Sequence, residues 1–317
     1  MLGRLAGSWW LRAAITAGIL GWMSTRIDMR ASASAIASVS RLHLAIVLGL
    51  VAIDRLIMIW RWVLLLRAAN IPIATADAAR LFLTSSFVGS FLPAGVGGDA
   101  ARAWGLAQKA ARMGDALASV VVDRMLGILA LAAMGAAGLA AWTPDGVDPV
   151  RIVAAVLVLA LASVAAFWGD GLVRWALPAR HHSGPIARRL LRLADAVARY
   201  RGHRGALAHV MAWSLVVQVL RIVQAYVLGL GLALAVPFAY YLLVMPLGLL
   251  TLLLPVSVSG FGVPQGVIVW LLRPMGVDEP AAFALSTLIV LTGLAGNLPG
   301  LVLWLQRRPA RSAATDA

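Results

Sequence analysis

Residues 80–104 read RLFLTSSFVGSFLPAGVGGDAARAW. An apolar run of this length approaches the roughly 20 residues that a helix needs to cross a bilayer. Its middle, however, holds Pro93, Gly95, Gly97 and Gly98, and the run closes on Asp99 and Arg102. Proline removes a backbone donor and glycine weakens a helix interior, so one uninterrupted helix is excluded. Unpaired backbone at membrane depth is tolerated only inside protein or along a wet cavity. The stretch therefore predicts a helical hairpin whose break points inward. A second stretch, 238–273, repeats the arrangement with Pro255, Gly260, Gly262, Pro264 and Gly266.

Working outward, the 317-residue chain is 62% hydrophobic and 13% charged, with a mean hydropathy of +0.89. Soluble domains carry about 25% charged residues, which argues against a soluble globular protein. Uninterrupted apolar stretches at 9–23, 42–66, 116–142, 150–168, 207–232 and 281–305 predict six full spans beside the two broken hairpins. The expected fold is an all-α polytopic membrane protein, a single transmembrane domain over 1–317. The chain has no cysteine, so disulfides, thiol catalysis and Cys-based metal sites are excluded. Its five scattered histidines show no ligand spacing; no metal or cofactor is expected.

The net charge of +14 reads as membrane topology rather than nucleic-acid binding. The linker 170–206 holds Arg174, Arg180, Arg188, Arg189, Arg192, Arg199, Arg201 and Arg204 against Asp170 and Asp195, and the tail holds Arg307, Arg308 and Arg311. Both should be cytoplasmic, with both termini inside, in an inner (plasma) membrane. Arg26, Arg30 and Arg41 then fall in an outer loop, against the rule. On this scheme 42–142, with its hairpin 80–104, and 207–305, with its hairpin 238–273, form two alike but inverted halves, the arrangement of many secondary transporters. The alternative, that 238–256 crosses by itself, stays open. In the linker, Ile186, Leu190, Leu193 and Val197 recur at helical spacing among arginines. A helix lying on an anionic leaflet and one packed under the bundle both fit.

Ionisable groups inside apolar segments are expensive and mark functional sites. Here they are Asp54, Arg55, Arg61, Asp99, Arg102, Asp123, Arg124 and Arg221, the last flanked by Gln218 and Gln224. The bases outnumber the acids, although Arg61 could snorkel to the surface. A net cation in hydrocarbon invites an anion, and the planar guanidinium fork suits phosphate. Backbone N–H groups around Gly97 and Gly98 could add an anion nest ahead of the next helix. The candidate head-group site is therefore Arg55, Gly97, Gly98, Asp99, Arg102, Asp123, Arg124, Gln218, Arg221 and Gln265. For Asp54 with Arg55 and Asp123 with Arg124, structural pairing of neighbours is the competing explanation. Asp99 fits a helix N-cap, or a proton carrier or partner that presents Arg102.

The stretch from Ser90 through Gly97, Gly98 and Asp99 to Trp104, followed by Ala118–Gly127 with its Val-Asp-Arg, resembles the lysylphosphatidylglycerol synthase transmembrane-region family of flippase-like membrane proteins. Arg61-Trp62, Gln218-x-x-Arg221, Ser259–Gly262 and Leu298–Gly300 are similar to that family as well. The resemblance implies an inner-membrane protein that handles lipid head groups, with the family's Asp and Arg on Asp99, Arg102, Asp123 and Arg124. It also implies a possible partnership with a glycosyltransferase or lipid-modifying enzyme. Two departures stand out. Many members read Gly-x-Arg-Glu-Gly where this chain has Gly262-Val-Pro-Gln-Gly266, so Gln265 offers only neutral hydrogen bonds. The chain also stops soon after its last span, without a soluble aminoacyl-transferase domain, so it is not expected to make lysyl-phosphatidylglycerol.

These readings lead to a flippase-like transporter of an anionic phospholipid or polyprenyl-phosphate. No catalytic residues are assigned, and no nucleotide-binding loop is present to drive movement. Two alternatives remain: a non-transporting subunit that scaffolds a lipid-synthesis enzyme or glycosyltransferase, and a lipid-phosphate transferase using Asp99, Asp123 or His43.

Overall fold

The computed structural model describes residues 27–91, 96–142, 184–251 and 262–306, with isolated positions between 18 and 25 and between 150 and 171. These residues form α-helices and no strand. In chain order the helices are α1 (Met29–Ser38), α2 (Arg41–Ala68), α3 (Thr75–Phe91), α4 (Val96–Lys109), α5 (Met113–Ala141) and α6 (Pro185–Arg199). There follow α7 (Arg204–Gly231), α8 (Phe238–Leu250), α9 (Val263–Leu272), α10 (Glu279–Ala295) and α11 (Leu298–Leu305).

Four stretches are long and apolar enough to cross a membrane: α2, α5, α7, and α10 with α11. They correspond to the expected spans 42–66, 116–142, 207–232 and 281–305. The last is broken at Gly296–Asn297, where Pro299 follows. The expected spans 9–23 and 150–168 fall largely outside the described residues. The chain is an all-α polytopic membrane protein, and its surface agrees. Leu42, Ile53, Leu56 and Trp60 of α2 and Val302, Trp304 and Leu305 of α11 face outward, while Asp54, Arg61, Arg102 and Asp123 are buried. That distribution suits hydrocarbon surroundings and would be an aggregation liability in water.

Each of the two broken stretches is made of two short helices, α3 and α4 (17 and 14 residues) and α8 and α9 (13 and 10 residues). Each helix is shorter than the roughly 20 residues of a full crossing. α3 packs against α4 and α8 against α9, so the broken stretches are paired short helices. The breaks themselves, 92–95 and 252–261, lie outside the described residues. The α3–α4 pair is held very close. A Cβ added at Gly89 would lie 2.7 Å from the Gly98 Cα, and one at Gly98 would lie 2.9 Å from the Ser85 carbonyl oxygen.

Two apolar cores occupy opposite ends of the bundle. One joins Ile59, Trp62 and Leu66 of α2 to Leu81, Phe82, Ala103 and Leu106 of the α3–α4 pair and to Ala116 and Val120 of α5. The other joins Val47 and Val51, at the far end of α2, to Ile222 and Leu228 of α7, Tyr240 and Leu243 of α8, and Leu271 and Leu285 beyond. α2 and α7 run antiparallel: Leu65 near the end of α2 clusters with Val210 near the start of α7. The two hairpins therefore sit at opposite ends of the same bundle.

α2 and α7 are both 28 residues long, and connectors of equal length (69–74 and 232–237) lead to the next helix. Both helices end in the same Schellman turn. Ile71 N–H donates to the Leu66 carbonyl and Asn70 N–H to that of Arg67; Leu234 N–H donates to Gly229 and Ala233 N–H to Leu230. Asn70 (φ 54°) and Ala233 (φ 56°) are the only non-glycine residues with positive φ among those described.

α6 lies under the start of α5. Ala196, Val197 and Tyr200 are buried there with Ala118 and Val122, and Arg199 pairs with Asp115. The packed arrangement is the one observed. Leu190, expected on the apolar stripe, is 44% exposed beside Arg188, Arg189 and Arg192. This is the end where Lys109 of α4 meets Asp77 of α3 at 2.9 Å. The hydrogen bond from the Lys109 ammonium, then its charge, hold the Asp77 carboxyl below the usual carboxylate range.

Candidate functional site

A cavity of about 440 Å³ lies between the two hairpins, walled by α2, α5, α7 and α10. That volume falls in the range of small-molecule sites, about 300–1,000 Å³. Its charged lining comes from both ends of the sequence: Asp54, Arg55 and Arg61 of α2, Asp99 and Arg102 of α4, Asp123 and Arg124 of α5, and Arg221 of α7. Asp54 sits midway along α2, and Asp54, Arg61, Arg102 and Asp123 are buried.

On one wall, Asp123 is the hub. Its Oδ1 accepts from Arg61 Nη2 at 2.6 Å and its Oδ2 from Arg102 Nη2 at 3.2 Å. Arg61 Nη2 also donates to the Asp123 carbonyl at 3.1 Å. The chain of pairs continues outward, with Arg102 donating to Asp99 Oδ1 at 3.2 Å and Arg124 Nε to Asp99 Oδ2 at 2.5 Å. Arg102 lies between aromatic faces, 5.0 Å from the Trp62 ring centre and 5.1 Å from that of Phe82. Trp62 is fixed in turn by its Nε1–H donating to Ser119 Oγ at 3.3 Å. Arg124, with 46% of its side chain exposed, is the rim of this wall.

The opposite wall is sparser. Arg221 Nε donates to Asp54 Oδ1 at 3.1 Å, and Arg55 Nη1 stands 3.8 Å from Asp54 Oδ2. Arg55 Nη2 donates to the Gly293 carbonyl at 3.3 Å. Gln218 Nε2 reaches the Gly127 carbonyl at 3.4 Å. Across the cavity, Asn297 Nδ2 donates to Ser90 Oγ at 2.8 Å. Several buried polar atoms of lining residues have no hydrogen-bond partner: Arg55 Nε, Arg61 Nε, Arg102 Nε, Gln224 Nε2 and Asn297 Oδ1.

Of the residues singled out in the sequence, Arg55, Gly98, Asp99, Arg102, Asp123, Arg124, Gln218, Arg221 and Gln265 all line this cavity, and Gly97 does not. Several individual expectations change. Asp99 is not an N-cap: it lies inside the first turn of α4, with both carboxylate oxygens on arginines. Gly98 permits the close approach of α3. Arg61 does not snorkel; it is 2% exposed and bound to Asp123. Neither Asp123 with Arg124 nor Asp54 with Arg55 is a self-contained pair, because consecutive helical residues point about 100° apart. The better partners come from other helices. Gln265 is committed locally: its Oε1 accepts from Gly262 N–H at 3.1 Å and its Nε2 donates to Thr287 Oγ1 at 3.0 Å. His43 meets Ser40 at the start of α2, outside the cavity lining.

Asp54, Arg61, Gln224 and Asn297 also line the cavity but were outside the candidate set. Asp54, Met58 and Arg61 follow i, i+4, i+7 spacing, a polar stripe along one face that the sequence does contain. Asn297 has no such signal, since only the fold brings it to Ser90. Among the described residues no group of histidines and acids is placed to hold a metal.

A family model, lysylphosphatidylglycerol synthase TM region, matches residues 9–300. A search of curated proteins found no match to the chain. The match covers nearly the whole chain, which belongs to this family of integral membrane proteins linked to lipid metabolism.

Proposed function

We propose that this family member is a flippase-like transporter that passes the anionic head group of a membrane lipid through the cavity between its hairpins while the acyl chains stay in the bilayer. The observation that carries the reading is the charge count of the cavity. Five guanidinium groups (Arg55, Arg61, Arg102 and Arg221 inside, Arg124 at the rim) face three carboxylates (Asp54, Asp99, Asp123) in a membrane-spanning bundle. Burying unbalanced charge is costly, and a phosphate diester entering from the membrane offsets it with charge-assisted hydrogen bonds.

The two hairpins at opposite ends of the bundle support an inverted pair of gates over a central site, the layout of alternating access. The two half-repeats are 42–142 and 207–305. By the positive-inside rule the arginines of α6 favour an orientation with the first hairpin on the cytoplasmic side of a plasma membrane and the second outside. The substrate class is a phospholipid or polyprenyl-phosphate.

The test is reconstitution in vesicles containing a fluorescent phosphatidylglycerol, with the outer leaflet bleached chemically. Vesicles with protein should lose more than half the signal, and the Arg221→Gln variant should slow the loss at least about tenfold, the effect of removing one charged hydrogen bond. Wild-type vesicles no faster than protein-free ones, or an unimpaired Arg221→Gln, would overturn the reading.

A further inference from the structure

The two charged walls of the cavity are not equally available to a ligand. Around Asp123 the carboxylate is fully engaged, and the Nε atoms of Arg61 and Arg102 are the unpartnered donors left there. The two carboxylate oxygens take Arg61 and Arg102, and all three side chains are at most 5% exposed. Arg102 is in addition covered by Trp62 and Phe82. A ligand there would have to break buried pairs.

Between α2 and α7 the pairing is incomplete. A single carboxylate, Asp54, serves Arg221 at 3.1 Å and stands 3.8 Å from Arg55, the latter beyond hydrogen-bond reach. Arg55 keeps one hydrogen bond, to the neutral Gly293 carbonyl, and its Nε has none. Gln224, one turn beyond Arg221 on the same helix, holds a second buried donor without an acceptor. Arg55 Nε and Gln224 Nε2, the unsatisfied atoms of α2 and α7, are both donors, whereas the unsatisfied Asn297 Oδ1 at the α10–α11 break is an acceptor. Buried donors left open in a native cavity call for an acceptor. A tetrahedral oxyanion, whose oxygens only accept and bear charge, suits a pair of guanidiniums and an amide.

Resting on the lipid-transport reading, we infer that the phosphate of the head group seats on Arg55, Arg221 and Gln224, and that Asp54 is a resident competitor which it displaces. With the seat empty, Asp54 keeps Arg221 from being stranded in hydrocarbon. With an anion arriving, the same carboxylate opposes it and holds affinity down. A transport site needs that balance, because binding must be favourable enough for a ligand to enter and weak enough for it to leave. Asp54 is thus a positioning residue that sets affinity.

The experiment uses the full chain in phosphatidylcholine nanodiscs doped with increasing phosphatidylglycerol, and reads the half-saturating fraction from the melting-temperature shift. A parallel series titrates inorganic phosphate. Asp54→Asn should lower the half-saturating fraction about tenfold, the opposite sign to a residue that merely holds the fold, and Gln224→Leu should raise it about tenfold. If wild type responds but Asp54→Asn binds no tighter, the competitor role is overturned while the transport reading stands. If Asp54→Asn does not fold, Gln224→Leu decides: its amide nitrogen makes no hydrogen bond to lose, and an unchanged half-saturation overturns the seat. Response to inorganic phosphate alone keeps the anion seat and overturns the lipid reading. No response to either anion overturns both.

Discussion

The two hairpins share an architecture and differ in chemistry. The α3–α4 pair reaches the cavity with Asp99 and Arg102 and ties itself to α2 and α5 through Asp123. The α8–α9 pair reaches the same cavity with Met245, Gly248, Pro264, Gln265 and Ile268, all neutral. One is anchored by shared ion pairs in a low-dielectric interior. The other is anchored by apolar burial, the Gln265 bonds, and Tyr240 donating from its hydroxyl to the Leu271 carbonyl. The backbone plan is repeated and the charge is not. Charge thus reaches the chamber from the first hairpin and from α2, α5 and α7, and only neutral groups reach it from the second hairpin. The same asymmetry separates the helices that close each half. α5 is continuous from Met113 to Ala141, whereas its counterpart bends at Gly296–Asn297 and brings Gly293 and Asn297 into the wall.

The contrast breaks first at Asp123. Replacing it by Asn leaves Arg61 buried without a counter-charge and Arg102 with Asp99 alone, a loss of about 3–5 kcal/mol. The Asp123→Asn variant should lose most of its folded fraction in detergent, read by thermal melting on a size-exclusion column. A melt within a degree of wild type would mean that ion pairs do not anchor the first hairpin. The second hairpin should be hurt less. Gln265→Ala removes the Gly262 N–H acceptor and the Thr287 partner, a loss of about 1–2 kcal/mol. If its melt falls as far as that of Asp123→Asn, the two hairpins are anchored by comparable polar terms after all.

The smallest effect tests the shared backbone plan. Ala233 holds a left-handed conformation that costs an L side chain about 1–2 kcal/mol, part of which glycine's greater chain entropy offsets. Ala233→Gly should therefore stabilise by about 0.5 kcal/mol. Asn70→Gly should be close to neutral, because asparagine tolerates that region. Equal shifts at both positions would show that the two turns are not strained differently.

Much of this molecule is written in local pattern. Apolar length marks α2, α5, α7 and the α10–α11 stretch as spans, and Pro93 with Gly95–Gly98 marks a break, because hydrocarbon leaves backbone no other partner than itself. The unusual charges were legible for the same reason: in a chain so apolar, each buried Asp or Arg stands out. What local pattern misreads is partnership. Sequence neighbours such as Asp123 and Arg124 diverge around a helix, so adjacency in the chain predicts little about contact, and an Asp placed after glycines resembles a cap until an arginine from another helix claims it.

What the amino-acid order determined by itself is the solvent this protein lives in, the position of its first helix break and the imbalance of its interior charge, since each follows from transfer energies summed along a short stretch. Only the tertiary structure decided that Asp54 meets Arg221, that Asp123 gathers Arg61 and Arg102, and that Gln265 is divided between Gly262 and Thr287 of α10. Those choices depend on which helices cross and at what depth. Helix crossing is settled by packing among residues far apart in the chain, such as Gly138 against Leu242 and Leu65 against Val210.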